Sequence, residues 1–456
     1  MESISRRMAH FARSLRFEAI PDPAVSAAKR FLLDSVGCAL GALKLPDVQA
    51  AYRYVQQLGG TKQASIIGYG GQTNVPNAAL MNSLLIRAMD YNDIYWKEDP
   101  SHPSDVIPAA LAPGEYRRVD GKELIVGIVI AYELVMRLCA AAHPGIREFG
   151  WHHASLTQFV SPLVAGRMLG LCENEMVAAV GISGSSHFTL GAVVAGHLTN
   201  MKNAADPLAT EAGVRAAMLA AMGYTGPMEV FEGKEGLFRV LSGTTWDQEA
   251  LFDGLGEKFL ITKCSLKAFP TEVLTHQPIT ATLELMQENR INPSKVKEVL
   301  VETTTRGVDI LSDPSKHHPT TKETADQSLP YCIAVAIAKG EVLPSDFEEK
   351  ALRHPLVLEL LPKIKVVANP EIDALFPKVK RAIVTITSDD GQIHRNQEDF
   401  AKGEPERPLS DEELVGKFRE NARAALGEPQ LKKLIHSTLT VEEFTDIRQY
   451  VSLLSR

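Results

Sequence analysis

A chain of 456 residues, 45% apolar and 23% charged, is too long for one ordinary core and too apolar to be disordered, so two domains are expected. A net charge of −8 with no basic stripe disfavours nucleic acid as a partner, whereas an anionic small molecule stays open because a pocket's local field governs its binding. Cys38, Cys139, Cys172, Cys264 and Cys332 are odd in number, scattered and without a CxxC pair, so their spacing encodes neither a disulfide framework nor a zinc or iron–sulfur ligand set, and a reducing compartment, the cytoplasm, fits best.

From residue 3 to about 260 the chain reads almost wholly helical. The opening stretch, with Arg6, Arg7 and Arg13, lacks the apolar core of a secretory signal and reads as an amphipathic first helix. Helices are predicted over 21–43, 77–90, 121–142, 154–171 and 208–223, several of them apolar nearly all round, as in the middle of a large bundle. The most apolar run, LIVGIVIAY at 124–132, ends at Glu133 and is far too short to span a membrane. Glu133 and Arg137, four apart, predict an intrahelical ion pair.

After about 264 the texture changes. Segments 296–304, 364–369 and 381–395 are β-rich, and Asp390-Gly391 in the last is a strong hairpin signal. Helices are predicted over 271–290 and 322–339, the latter opened by a capping box from Thr320 to Glu323. A second box, Ser410 to Glu413, opens a return to helix. The fold class is therefore mainly α: a large all-helical domain (1–264), an inserted smaller α+β domain (265–399), and C-terminal helices (400–456) returning to the first domain.

The usual nucleotide, zinc-protease and hydrolase signatures are absent: there is no GxGxxG after a strand, no Walker loop, no HExxH and no GxSxG. What stands out is a set of polar clusters. MDYNDIYWKEDPSHPSD (89–105) crowds Asp90, Asp93, Glu98, Asp99 and Asp105 around His102, on a loop that Pro100 and Pro103 hold open. Solvated loop, metal site and acid/base site are the three readings, since carboxylates tune a histidine across neutral pH. FGWHHASL (149–156) sets His152 and His153 before a helix whose N-terminus favours anions. Against this stands a surface loop with one buried ring.

Lys202 falls in a Gly/Asn/Asp-rich connector (196–213), where a lone lysine is ordinarily solvated. Lys267 closes a short segment at the proposed domain junction, where ligand clefts commonly form. Glu323 and Asp326 fall in the first turn of a helix and suit its dipole, a structural role.

These clusters, in this order, resemble the MmgE/PrpD family, whose members include 2-methylcitrate dehydratase and cis-aconitate decarboxylase. The resemblance rests on DSVGCALGA (34–42), MDYNDIYWKEDPSHPSDVIPAALA (89–112), GWHHASL, MKNAADPLATEAGVRAAMLAAMGYTGP (201–227), FEGKEGLF (231–238), SLKAFP and PTTKETADQSLPY. It implies a helical domain with an α+β lid, a homodimer, and active-site residues at Asp90, His102, His152, His153, Lys202 and Lys267. HPSD and TTKETADQSLPY look more like the 2-methylcitrate dehydratase branch. Three departures stand out: Ile94 where the family often has Thr, Gln327 where the dehydratases usually have His, and His152-His153 where they commonly have Asp-His.

The reaction implied is loss of water from a tricarboxylic hydroxy acid, without metal or other cofactor. Lys202 and Lys267 hold carboxylates, His102 acts as acid with Asp90 orienting it, and the His152/His153 pair provides the base or a carboxylate contact. Decarboxylation of cis-aconitate or epimerisation of an amino-dicarboxylate would use the same pocket. A carboxylate-binding protein without turnover is the reading from another class.

Overall fold

The computed structural model describes residues 2–195 and 198–455, so Gly196 and His197, which open the connector read around Lys202, lie outside the described residues. The chain is mainly helical. It divides into two compact units: Met1–Val194, Asn200–Cys264 and Ser410–Arg456 form the first, and Ala195–Thr199 with Ser265–Leu409 form the second.

In the first unit the long helices lie where apolar periodicity places them: Asp22–Gly41, Val75–Arg87, Gly121–Ala141 and Ala154–Leu169. Gly121–Ala141 is, among the described residues, the one helix long and apolar enough to cross a membrane, and 94% of its apolar window is buried inside the protein. The predicted Glu133–Arg137 pair forms on it at 3.4 Å. Arg137 also donates to the carbonyls of Asp253 and Lys258, at 2.7 and 2.9 Å, and so ties down the loop between them.

Two helices decide the site. Ala154–Leu169 packs against Met201–Ala220, and a Cβ at Gly213 would lie 1.9 Å from the Ser161 hydroxyl, so only glycine permits this approach. At the other end of the contact Ala154, Ala205 and Ala209 form a buried seam of small side chains. The close crossing brings the residue capping the first helix, His153, onto the second helix beside Asp206.

Several local expectations are corrected. The stretch 89–105 is not an open loop: Asp93–Trp96 pairs antiparallel with Pro100–Ser101, and Pro103 starts a short 3-10 turn rather than a coil. Lys202 is not in a connector, because the helix predicted from 208 begins at Met201. The helix predicted over 322–339 breaks into Lys322–Ala325 and Leu329–Lys339, since Ser328 accepts the Tyr331 N–H and caps a new start. Its first turn is capped by Thr321, not Thr320. The capping box of Ser410 and Glu413 forms as read. Residues 401–409 stay with the second unit rather than the C-terminal helices: the Gly403 carbonyl accepts the Leu266 N–H at 3.0 Å and Glu404 holds Gln277 at 2.7 Å.

The second unit holds a four-stranded sheet in the order Ile393–Glu398, Ala382–Ser388, Val296–Thr303, Ile364–Ala368. The first two pairings are antiparallel and the last parallel. Asp390-Gly391 makes the hairpin turn, with Gly391 at φ 84°. Val299, Val301 and Thr303 are buried with half-buried residues between them, the alternation a half-covered sheet requires. Helix His276–Glu288 packs on the hairpin.

There Arg407 lies between Glu284 and Glu398, 3.1 Å from the latter. Burial and then the neighbouring Glu284 push the Glu398 carboxyl up to about 7. A carboxyl raised on folding contributes stability that is complete below its unfolded value and lost as pH rises through the folded one. Thermal midpoints are therefore expected to fall between about pH 5 and about pH 8, and Glu398→Gln to flatten that slope. A slope unchanged in the variant would show that Glu398 is not its source.

Candidate functional site

Helix Val75–Arg87 ends in Arg87, and the chain leaves it through Asp90 at φ 51°, a left-handed conformation that Asp tolerates better than most side chains. Both oxygens of the buried Asp90 carboxylate are held by cations: Arg87 donates to Oδ1 at 2.6 Å and Lys202 Nζ donates to Oδ2 at 3.0 Å. Arg87 Nε also lies 3.6 Å from Oδ2 of Asp105. The solvated readings of the 89–105 stretch and of Lys202 are excluded, because Asp90, Asp93, Asp99, His102, Asp105 and Lys202 are all buried.

The network continues through side-chain hydrogen bonds. Asn92 Nδ2 donates to Asp105 Oδ1 at 3.0 Å and to Ser104 Oγ at 2.9 Å. Ser104 donates from Oγ and N to the two carboxylate oxygens of Asp93, at 2.6 and 3.0 Å. The Asp93 carbonyl accepts from His102 Nδ1 at 2.6 Å, and because a carbonyl only accepts, Nδ1 carries the proton and Nε2 is the working nitrogen. Where the sequence predicts Asp90 as the group that orients His102, this Nδ1 contact falls to the Asp93 backbone, with Asp90 engaged by Arg87 and Lys202.

Both histidines of the pair are buried, which removes the reading of a surface loop with one buried ring. Their ring centroids are 3.9 Å apart, and His153 is 5.5 Å from His102. Nδ1 of His152 accepts the Ala154 N–H at 3.2 Å. His153 Nε2 lies 3.1 Å from Asp206 Oδ2, while Thr157 donates to Asp206 Oδ1 at 2.9 Å. Asp206 is one helical turn from Lys202, so the two face the site together.

Burial, and then the adjacent His153 ring, hold the His152 ring well below the usual histidine range, so it is a neutral imidazole at pH 7. Burial also acts to raise Asp206, but the adjacent His153 outweighs it and Asp206 is held low, as a carboxylate. Asp105 goes the other way: burial and then the charge of Asp206 push it well above the carboxylate range, against the opposing pull of Arg87. Burial lifts Asp93 to about 6 despite the bonds from Ser104. Carboxyls pushed apart in this manner are typical of sites that move protons.

Five of the six residues picked out in the sequence, Asp90, His102, His152, His153 and Lys202, thus belong to one buried cluster in the first unit. Lys267 belongs to the second unit, buried and donating to the Thr271 carbonyl at 2.9 Å, with His276 Nε2 at 3.3 Å from the same oxygen. Ile94 is buried on the strand Asp93–Trp96 and brings an apolar side chain there.

Arg87 and Asp206 escaped sequence reasoning, and Asp105, though counted in the carboxylate cluster, was given no role of its own. Asp206 had a signal, its four-residue spacing from Lys202; Arg87 had none beyond ending a helix. Among the described residues, His152, His153 and Asp206 are the one group whose ligand atoms all lie within 4.8 Å of one another, the spacing that could hold a metal ion.

The chain matches the model of the MmgE/PrpD N-terminal domain over residues 6–249 and that of the MmgE/PrpD C-terminal domain over residues 269–441. It is 24% identical to a cis-aconitate decarboxylase of Aspergillus terreus, over 99% of this chain and 96% of the relative. It is likewise 24% identical to the cis-aconitate decarboxylase of Homo sapiens, over 100% and 95%. To a 2-methylcitrate dehydratase of Salmonella typhi it is 25% identical, over 83% and 81%.

Proposed function

The chain belongs to the MmgE/PrpD family, and from that premise we propose that it is a metal-independent hydro-lyase that removes water from a tricarboxylic hydroxy acid, 2-methylcitrate first and citrate second. The observation that carries this reading is the pair of imidazoles, His102 and His153, 5.5 Å apart, each braced by a different partner. Elimination needs two proton carriers, one to take a proton from carbon and one to give a proton to the departing hydroxide.

Each imidazole suits one task. His153 accepts the carbon-bound proton at Nδ1, and the imidazolium so formed is stabilised by Asp206 beside Nε2. His102, its Nδ1–H held by the Asp93 carbonyl, gives the proton on Nε2 to the leaving hydroxyl. His152, neutral and with Nδ1 already occupied, donates from Nε2 to a substrate oxygen.

Removing the carbon-bound proton places extra negative charge on the adjoining carboxylate, which preorganised cations stabilise. Lys202 serves here, fixed by Asp90, and Lys267 supplies a second carboxylate contact. At ~4 Å and an effective dielectric of about 20, one such contact is worth roughly 4 kcal/mol before desolvation.

The test offers 2-methylcitrate, citrate and cis-aconitate separately, with EDTA present. A new conjugated double bond without carbon dioxide supports the dehydratase, and activity lost to EDTA but restored by metal would refute the metal-free scheme. His102→Ala and Lys267→Ala should each lose most turnover with the fold retained; wild-type rates in either remove that residue from the mechanism.

One observation favours a second reading. The decarboxylases align along 99–100% of this chain and the dehydratase along 83%. Release of carbon dioxide from cis-aconitate, with both hydroxy acids untouched, would establish that reading instead.

A further inference from the structure

We propose that His152, His153 and Asp206 also form a chelating site for one borderline divalent cation such as zinc, and that its occupancy switches the proton-transfer site off. His153 Nε2 and Asp206 Oδ2 are both buried and 3.1 Å apart, yet no well-aligned hydrogen bond joins them to each other or to another described residue. The imidazole N–H is therefore not aimed along the line to the carboxylate. Two ligands held at zinc's usual bond lengths sit roughly 2.9–3.4 Å from each other, so the separation is already that of neighbours on one ion.

The surroundings support the assignment. Thr157 occupies Oδ1 of Asp206, which leaves Oδ2 for the ion and fixes the plane of the carboxylate. The ligand atoms of all three residues lie within 4.8 Å. Three protein ligands leave a fourth position for water or a substrate carboxylate. The third ligand costs more than the others. Nδ1 of His152 accepts the Ala154 N–H, so Nε2 carries the proton of the neutral ring. An ion bound at Nε2 moves that proton to Nδ1 and gives up the 3.2 Å bond, which sets the site's affinity below that of structural zinc centres.

Inhibition follows from where the protons go. Metal on Nε2 of His153 requires the ring's proton on Nδ1, the nitrogen that must be bare to accept a proton from carbon. The same ion takes Asp206 away as counter-charge. The inhibitory half rests on the lyase reading above; the binding half does not.

Cobalt(II) is the probe for binding, titrated calorimetrically and by visible absorption into the EDTA-treated full-length protein without substrate. One equivalent per chain is expected. Asp206→Asn, nearly isosteric, and His153→Gln should each bind at least tenfold more weakly, with unchanged far-ultraviolet circular dichroism. No stoichiometric uptake, or equal affinity in both variants, overturns the site whatever the enzyme's reaction. Zinc at one equivalent should then suppress turnover and EDTA restore it. Full turnover with zinc bound, or activation by it, overturns the inhibitory role.

Discussion

Lys202→Met is expected to lower kcat about 100- to 1,000-fold, the range seen when one preorganised charge or donor is removed from a developing anion. The buried Lys202 is positioned twice over: Asp90 Oδ2 fixes its ammonium at 3.0 Å, and the first turn of helix Met201–Ala220 fixes its backbone. Its removal leaves Asp90 paired with Arg87 at 2.6 Å, so no carboxylate is stranded and the fold should persist. That separates this variant from Arg87→Met, which would strip one cation from Asp90 and Asp105 together. Steady-state kinetics beside a urea unfolding curve make the check. An unfolding midpoint near wild type with kcat reduced supports the role; kcat within threefold of wild type would exclude it.

The largest effect on stability is expected at a residue outside the reacting cluster. Lys417, on helix Asp411–Ala422, is buried with Nζ 2.6 Å from Asp34 Oδ1. It donates to the Tyr91 carbonyl at 2.7 Å and lies 3.9 Å from the centre of the Tyr91 ring. Lys417→Met would leave Asp34 buried and uncompensated, at a cost of about 3–5 kcal/mol. Burial already raises the Asp34 carboxyl against the pull of Lys417, so in the variant Asp34 is expected to take up a proton rather than remain charged. Asp34→Asn combined with Lys417→Met should recover most of the loss, since removing both partners of a buried pair is far less costly than removing one. Urea unfolding of the two variants measures this. A single variant within 1 kcal/mol of wild type, or a double variant no better than the single, would contradict it. Because Tyr91 follows Asp90, the double variant also lacks the clamp on that turn, and a kcat lower than its stability explains would locate the clamp's second role.

Local sequence signals served well wherever local physics decides. The apolar periodicity of 121–142 and 154–171 gave helices at Gly121–Ala141 and Ala154–Leu169, and Asp390-Gly391 gave the hairpin. They failed where a neighbour competes. Ser328 caps a new helix in the middle of a continuous apolar pattern, and the pairing of Tyr95 with Ser101 turns a proline-rich stretch into a hairpin. The site was legible as separate polar clusters, because a buried Asp or His is conspicuous among apolar helices. Its true partners were not: Lys202 and Asp90 are 112 positions apart, and Lys417 and Tyr91 are 326 apart.

The sequence by itself determined where most of the long helices and the sheet hairpin lie, that its five cysteines lack any CxxC spacing, and which stretches concentrate polar clusters. Helical and strand periods, turn residues and caps act over a few positions, so they can be read along the chain. Only the tertiary structure decided that Asp90, Asp93, Asp99 and Asp105 are buried, that Asp93 rather than Asp90 receives the His102 Nδ1–H, and that Asp206 stands beside His153. The last of these depends on how closely two helices cross, which Gly213 and three alanines permit, and no pattern within either helix records the distance between them.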